Sequence, residues 1–164
     1  MPASSGVEEL ESAKYLFLRE ISEPRDNSLR LVVQEAVVSN SEAIALDFEG
    51  PELAEIRKGA SPIESTEDCR SFELYWKRYV AYLVTEECVG SGGRYDDEVF
   101  SGRLFRVYSK SHFLEHLKRD TGGHIETFQH YKIVCLNHLV DVVADGLPEI
   151  RVLNRRPSKP ARIQ

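Results

Sequence analysis

The sequence predicts an α+β fold, in which a twisted and mainly antiparallel β-sheet, curled toward a half-barrel, carries one helix packed across it. Strand-like segments outnumber helical ones along the chain. They do not alternate with helices in the way that builds a parallel sheet. The densest apolar run, residues 128–143, alternates Tyr131 and Ile133 with His130 and Lys132, as a half-buried strand requires.

The chain of 164 residues fits one globular domain, which we place at residues 13–153. Residues 1–12 are short, polar and acidic, and they indicate a loose N-terminus. Residues 154–164 hold two prolines and four basic side chains, a composition typical of a disordered tail. No internal repeat is visible.

The first half of the domain contains three predicted strands. Residues 15–21 and 29–38 are rich in aliphatic and aromatic side chains and flank a cluster of turn formers, which indicates a hairpin. A third strand is predicted at residues 43–48. The signal then weakens, and residues 52–70 resemble a surface loop.

The middle of the chain is less regular. Residues 72–84 fit both a strand and a helix, and their aromatic and β-branched content favours a strand. Residues 86–98 place glycines between acidic side chains, which indicates a flexible acidic loop. A phosphate-binding loop is disfavoured, because neither a Gly-Lys-Ser/Thr ending nor a helix follows. Residues 100–108 predict a further strand, with Gly102 as a bulge.

The clearest helix is predicted at about residues 111–121. Ser111 is a good N-cap, and an apolar stripe follows at Phe113, Leu114 and Leu117. We expect this helix to pack on the sheet.

The apolar run 128–143 is longer than an ordinary strand, so we expect a bend near Asn137. Asn137, His138 and Asp141 are polar residues embedded at this bend. They either bond nearby backbone amides, which is a structural role, or form a small polar pocket. A short last strand is predicted at residues 149–153.

Composition excludes a membrane protein and gives no catalytic motif. No apolar run reaches the roughly 20 residues of a membrane helix. The N-terminus resembles neither a signal nor a transit peptide, so we expect a cytoplasmic protein. Cys69, Cys88 and Cys135 are odd in number and widely spaced, which favours reduced thiols. Cys135 lies in a core-like run and Cys88 beside acids, so neither is a good nucleophile, and no catalytic residue is assigned.

The charge is unevenly distributed. Residues 1–100 carry 10 Lys and Arg against 21 Asp and Glu, a balance of −11, whereas residues 101–150 carry 6 of each kind. The remaining residues are basic without any acid. An acidic body favours a basic protein partner and disfavours nucleic acid, except through the basic tail. The other explanation is that the charge only keeps the protein in solution.

Histidines suggest a second hypothesis, a metal site. His112 and His116 stand four residues apart and share one face of the predicted helix. With His130 and His138 they form a candidate ligand set for a divalent transition metal such as zinc. The spacing matches no closed metal template, and Phe113 holds the position of the glutamate in zinc-binding helices. Otherwise these histidines are surface residues, and no cofactor is expected.

Three stretches carry a resemblance. They are FELYWKRYVAYLVTEE, SGRLFRVYSKSHFLEHL and FQHYKIVCLNHLVDVV. Over about residues 70–150 the chain resembles an uncharacterised family of small, single-domain bacterial proteins. The resemblance implies a bacterial source and a common fold, and it assigns no catalytic residue.

The sequence therefore predicts a small acidic bacterial protein-binding module that neutralises a basic protein partner, in the manner of an immunity protein or an antitoxin. The predicted contact surface is either a face of the sheet or the acidic loop, in which the candidate residues are Glu86, Glu87, Asp96, Asp97 and Glu98. The alternative is a metal-binding protein or metal-dependent enzyme that uses the histidine cluster. Neither hypothesis fixes the oligomeric state.

Overall fold

A computed structural model describes residues 4–39, 61–90, 97–122, 124 and 127–154. Its ten strands form two antiparallel sheets. Sheet 1 contains β1 (Tyr15–Ser22), β2 (Leu29–Val38), β3 (Ile63–Glu64), β4 (Ser71–Trp76) and β10 (Glu149–Asn154). Sheet 2 contains β5 (Tyr79–Glu86), β6 (Val99–Ser101), β7 (Phe105–Lys110), β8 (Gln129–Val134) and β9 (His138–Ala144). The helices are α1 (Ser4–Glu11), α2 (Glu87–Gly90) and α3 (His112–Asp120).

The strand order is β1-β2-β4-β10 in sheet 1, with β3 paired to β2, and β5-β9-β8-β7-β6 in sheet 2. The prediction of an α+β protein with mainly antiparallel strands is confirmed at this level. The described strands form two sheets where the sequence predicted one, and neither the half-barrel nor the single packed helix is confirmed, because α1 and α2 accompany α3. The predicted strand at 43–48 and the tail from residue 155 lie outside the described residues.

The main core lies between the two sheets. Phe72, Leu74 and Trp76 alternate along β4 and are buried, and they share one apolar cluster with Tyr131 and Ile133 of β8. The ring centroids of Trp76 and Tyr131 are 6.1 Å apart, across the gap between the sheets. The period-two alternation of both strands therefore builds one core from two facing sheets.

Two segments that the sequence predicted as single strands are each divided into two strands. The segment 72–84 breaks at the exposed Lys77 and Arg78, where the chain leaves sheet 1 and enters sheet 2. The segment 100–108 is a hairpin of β6 and β7, and Gly102 lies in its turn with φ +88°. An added Cβ at this glycine would lie 2.1 Å from the Phe105 carbonyl oxygen, so the turn excludes larger residues.

The predicted bend near Asn137 is a hairpin turn between β8 and β9. Lys132 lies opposite Asp141 in the register, and His130 lies opposite Val143. The turn also reaches sheet 1, because the Asn137 side chain accepts from the Leu18 N–H at 2.9 Å and donates to the Leu18 carbonyl at 3.0 Å.

Helix α3 lies on the outer face of sheet 2, away from the main core. Phe113, Leu114 and Leu117 pack against a second apolar cluster of Phe128 and Val143. The helix begins where the sequence predicts, because the Ser111 Oγ accepts from the N–H of Leu114 at 3.1 Å.

The N-terminal segment, expected to be loose, instead forms helix α1 in its described part. Leu10 is fully buried, and the Glu11 carboxylate accepts hydrogen bonds from the backbone N–H groups of Arg103 (3.1 Å), Leu104 (2.9 Å) and Phe105 (2.6 Å). These partners are about ninety positions away, so the tertiary structure stabilises the helix where its local sequence does not.

Candidate functional site

A pocket of about 500 Å³ lies between helix α3 and the outer face of sheet 2. Ligand pockets are usually of this size, on the order of 300 to 1,000 Å³. One wall comes from α3 and the other from β5, and charged groups of β8 and β9 form the floor. The lining residues are Leu83, Glu98, His112, Phe113, His116, Arg119, His130, Lys132 and Asp141.

A chain of buried polar side chains runs beneath the pocket. The Ser111 Oγ lies 2.7 Å from His130 Nδ1, and His130 Nε2 lies 2.8 Å from Asp141 Oδ1. All three residues are at most 7% exposed. His130 is further fixed between two rings, stacked on Tyr108 at 4.2 Å and met edge-on by Phe113 at 5.5 Å. The chain therefore joins the start of α3 to the middle of sheet 2.

Lys132 completes the floor. Its Nζ lies 3.2 Å from Asp141 Oδ1, and its side chain is 18% exposed. Burial alone would lower the pKa of Lys132, but the attraction of Asp141 and the contact with Tyr108 outweigh it and raise this pKa. Lys132 is therefore a cation, and it pairs with the Asp141 carboxylate.

Ser111, His130 and Asp141 are the residue types of a Ser–His–Asp hydrolase, but their geometry argues against a nucleophilic serine. Ser111 does not line the pocket and is 3% exposed. Its hydroxyl already caps α3. A nucleophile must reach a substrate carbonyl, and this one is enclosed. We interpret Ser111 and His130 as groups that hold Asp141 in position.

One carboxylate oxygen of Asp141 is available to a ligand in the pocket. Its Oδ1 is hydrogen-bonded to His130 and lies 3.2 Å from the Lys132 Nζ, whereas its Oδ2 has no hydrogen bond among the described residues. The side chain is 10% exposed and lines the pocket. A carboxylate oxygen without a hydrogen bond in a mostly buried setting can accept one from a ligand in the pocket.

The predicted metal ligands are divided between three places. His112 Nε2 lies 2.7 Å from Asp97 Oδ1, and His116 Nε2 lies 3.3 Å from Asp120 Oδ2, so both helix histidines contact a carboxylate at the pocket rim. His130 is in the floor. His138 Nδ1 is buried without a partner in the described part of the chain. Among the described residues no three His, Cys, Asp or Glu side chains are grouped as metal ligands.

The predicted polar trio at the bend does not form one pocket. Asn137 bonds the backbone of Leu18. Alternation along β9 puts His138 on the side of the inner core residue Val140 and puts Asp141 on the outer face. The structural alternative therefore holds for Asn137, although its backbone partner is in another sheet, and only Asp141 lines a pocket.

The predicted acidic surface is also divided. Asp97 pairs with Lys110 at 2.8 Å and with His112, and hydrogen bonds from these two groups lower the pKa of Asp97 to about 2. A Glu98 oxygen accepts from the backbone N–H of His112 at 2.9 Å. Glu86 is exposed and Glu87 half-buried, and neither side chain forms an ion pair within the described residues. Asp96 lies outside the described residues.

Cys135 is confirmed as a core thiol. It is 2% exposed, and burial raises its pKa to about 12, so its thiolate is scarce near neutral pH. Cys88 is exposed at the start of α2.

Sequence analysis missed Leu83 and Lys132 as members of the site. Part of the signal for Lys132 was present, because a hairpin turn near Asn137 brings it close to Asp141, but the register that places the two opposite each other depends on the length of the 135–138 loop. No comparable signal existed for Leu83, whose position depends on β5 joining β9 from a distant part of the chain.

Comparison with known protein families, with curated proteins and with solved structures finds no match to this chain. The resemblance to a bacterial family therefore stays a prediction. In the described residues no helix is both long enough and apolar enough to cross a membrane.

Proposed function

We propose that the protein is a binding module for a basic protein partner, acting as an immunity protein or antitoxin does, and that the partner docks on edge strand β5. The observation that carries this proposal is the openness of β5. It has eight residues, and in the described part of the chain no strand pairs with its outer edge, although the N–H of its first residue, Tyr79, donates to the Asn27 carbonyl at 2.9 Å.

Among the described residues, the edge strands β1, β6 and β10 are short or touched by another element. The edge of β1 is closed by Asn137 and by the Leu136 N–H, which donates to the Leu16 carbonyl at 2.8 Å. Strand β6 has only three residues. Helix α1 packs against β10 so closely that a Cβ added at Gly6 would lie 2.8 Å from the Ile150 Cβ. Natural proteins protect long edges against unwanted pairing, so an open one favours an interaction site.

The chemistry of β5 favours a partner with apolar and basic residues. Leu83 is 49% exposed and Val84 is 37% exposed, and both lie on this edge strand. Glu86 and Glu87 follow directly. Because neither forms an ion pair within the described residues, both can contact a cation of the partner. Apolar contact supplies affinity, and the acidic end selects positive charge and speeds association.

The test is a matched pair of charge reversals. Glu86→Lys with Glu87→Lys should weaken binding of a basic protein captured from the source bacterium by at least about tenfold. The control, Glu67→Lys with Asp68→Lys, changes two exposed acids before β4 by the same charge. Calorimetry with the purified partner at two salt concentrations measures the dissociation constant of each variant. Equal losses in the two variants, or none in the first, would contradict the proposal.

A metal-binding role is the second candidate, because His112, His116 and His130 line one pocket. Elemental analysis of protein purified without a histidine tag tests it. A stoichiometric divalent metal that is lost in His112→Ala with His116→Ala would support it, whereas metal-free protein that also fails to take up added zinc would exclude it.

A further inference from the structure

We infer that the partner contributes an extended segment that adds to sheet 2 beside β5, and that a lysine or arginine opposite Leu83 reaches across it to the free oxygen of Asp141. This inference rests on the proposed function and specifies which feature of the partner is recognised.

The register of sheet 2 places the groups in one row. Leu83 lies opposite Asp141, and Asp141 lies opposite Lys132. Residues opposite one another point to the same face of a sheet, which here is the outer face that bears the pocket. An added strand would lie about 4.8 Å beyond β5. Its residue opposite Leu83 would therefore point to this same face, two strands away from Asp141.

A long basic side chain fits the path between them. Leu83 and Phe113 form apolar pocket walls, on which the methylene stem of a lysine or arginine can lie while its charged end goes deeper. Asp141 Oδ2 is the acceptor at the end of this path, and Glu98 adds a second carboxylate at the rim. Asp141 is held by His130 and Lys132, so little ordering remains to be done on binding.

The charges that face Asp141 also determine which basic side chains can enter the pocket. Lys132 occupies Oδ1, and Arg119 and the rim histidines lie on the α3 wall. A bulky cation would meet these groups, whereas a single slender side chain entering from the β5 side meets Leu83 first. We therefore expect one basic residue in register to be preferred over a dense basic cluster.

The probe is a blocked peptide in which valine and threonine alternate around a central lysine, compared with peptides that have glutamine or glutamate at the centre. The lysine peptide should bind wild-type protein about tenfold more tightly than the glutamine peptide. Binding should slow hydrogen exchange of alternate β5 amides. Equal affinities, or preference for glutamate, would overturn the inference.

Two variants test the residue contacts. Asp141→Asn should remove the preference for lysine over glutamine. Because this change also affects the buried chain, Leu83→Lys provides a second test at a half-exposed site, where the new ammonium should occupy Asp141 Oδ2 and abolish the same preference. Retention of the preference in both variants would overturn the inference.

The outcomes separate this inference from the proposed function. If Glu86→Lys with Glu87→Lys abolishes partner binding while Asp141→Asn and Leu83→Lys do not alter it, the module stands and the lysine contact fails. If light scattering shows a dimer that Leu83→Lys dissociates, a second copy of the chain occupies β5, and the inference fails.

Discussion

The outer faces of the two sheets both carry charged side chains, but a described helix covers only that of sheet 2. On sheet 1, Arg30 bridges Glu20 and Glu73 at 2.6 Å each, and these groups lie on a face that no described helix covers. On sheet 2, helix α3 lies over the strands, and Asp141, whose side chain is 10% exposed, contacts both His130 and Lys132.

The difference shows what burial does to the same kinds of group. Exposed ion pairs exchange water for each other at little gain, typically about 0 to 1 kcal/mol. A buried pair gains little when both partners are replaced together, but removing one partner leaves the other charge without water or counter-charge. The exposed pair of Lys77 and Glu149 on sheet 1 should therefore tolerate loss of one charge, and the buried Asp141 on sheet 2 should not be replaceable without loss of stability.

Asp141→Ala is expected to have the largest effect. It leaves Lys132 and His130 without their shared acceptor and should lower the free energy of unfolding by about 3 kcal/mol. Urea denaturation measures this. Asp141→Asn keeps one acceptor oxygen and should lose less. A loss of under about 1 kcal/mol in the alanine variant would mean that water reaches the floor of the pocket.

Ser111 allows the helix cap to be separated from the buried hydrogen bond. Ser111→Ala removes both and should lower the free energy of unfolding by about 1 to 3 kcal/mol. Ser111→Gly keeps most of the capping preference, so its remaining loss reports the contact with His130. If the free energy of unfolding of Ser111→Gly equals that of the wild type, the contact between Ser111 and His130 does not contribute to stability.

The stability that His112 contributes at the pocket rim should depend on pH in the range where histidine titrates. The hydrogen bond to Asp97 raises the pKa of His112 above its ordinary value of 6.5. A raised pKa gives stability that is complete below pH 6.5 and is lost as the pH rises through the folded value. NMR titration should show the raised pKa, and Asp97→Asn should return it toward 6.5. An unchanged midpoint in that variant would refute the pairing.

Lys77→Gln on the sheet 1 side should have the smallest effect. Lys77 pairs with Glu149 at 3.0 Å, but its side chain is 78% exposed. The unfolding midpoint in urea should match that of the wild type within error, because solvent screens the pair. A loss comparable to that of Asp141→Ala would remove the distinction between the two faces.

Local signals predicted much of this fold. Ser111 was identifiable as a cap because capping depends on neighbouring residues. Helix α1 was missed because its stabilising contacts with Leu104 and Phe105 are distant in sequence. The break at Lys77 was missed because alternation identifies a buried strand but does not say to which of two sheets it belongs.

The site was predictable only in part, for the same reason. His112, His116 and His130 were singled out as candidate metal ligands and Asp141 as a polar residue in an apolar run, and all four line the pocket. Their partners were not predictable from composition, because hairpin register and helix packing assign them. The metal set fails to assemble because the turn and the alternation of β9 take His138 to the inner face.

The bond between Asn137 and Leu18 has a consequence for biosynthesis. The two residues are 119 positions apart, and this contact helps to close the edge of β1. A nascent chain that has left the ribosome only as far as β5 would expose that edge, together with the unfinished surface of sheet 1. Slow translation through the middle of the message should therefore increase aggregation, and a chaperone that shields the β1–β2 hairpin should reduce it.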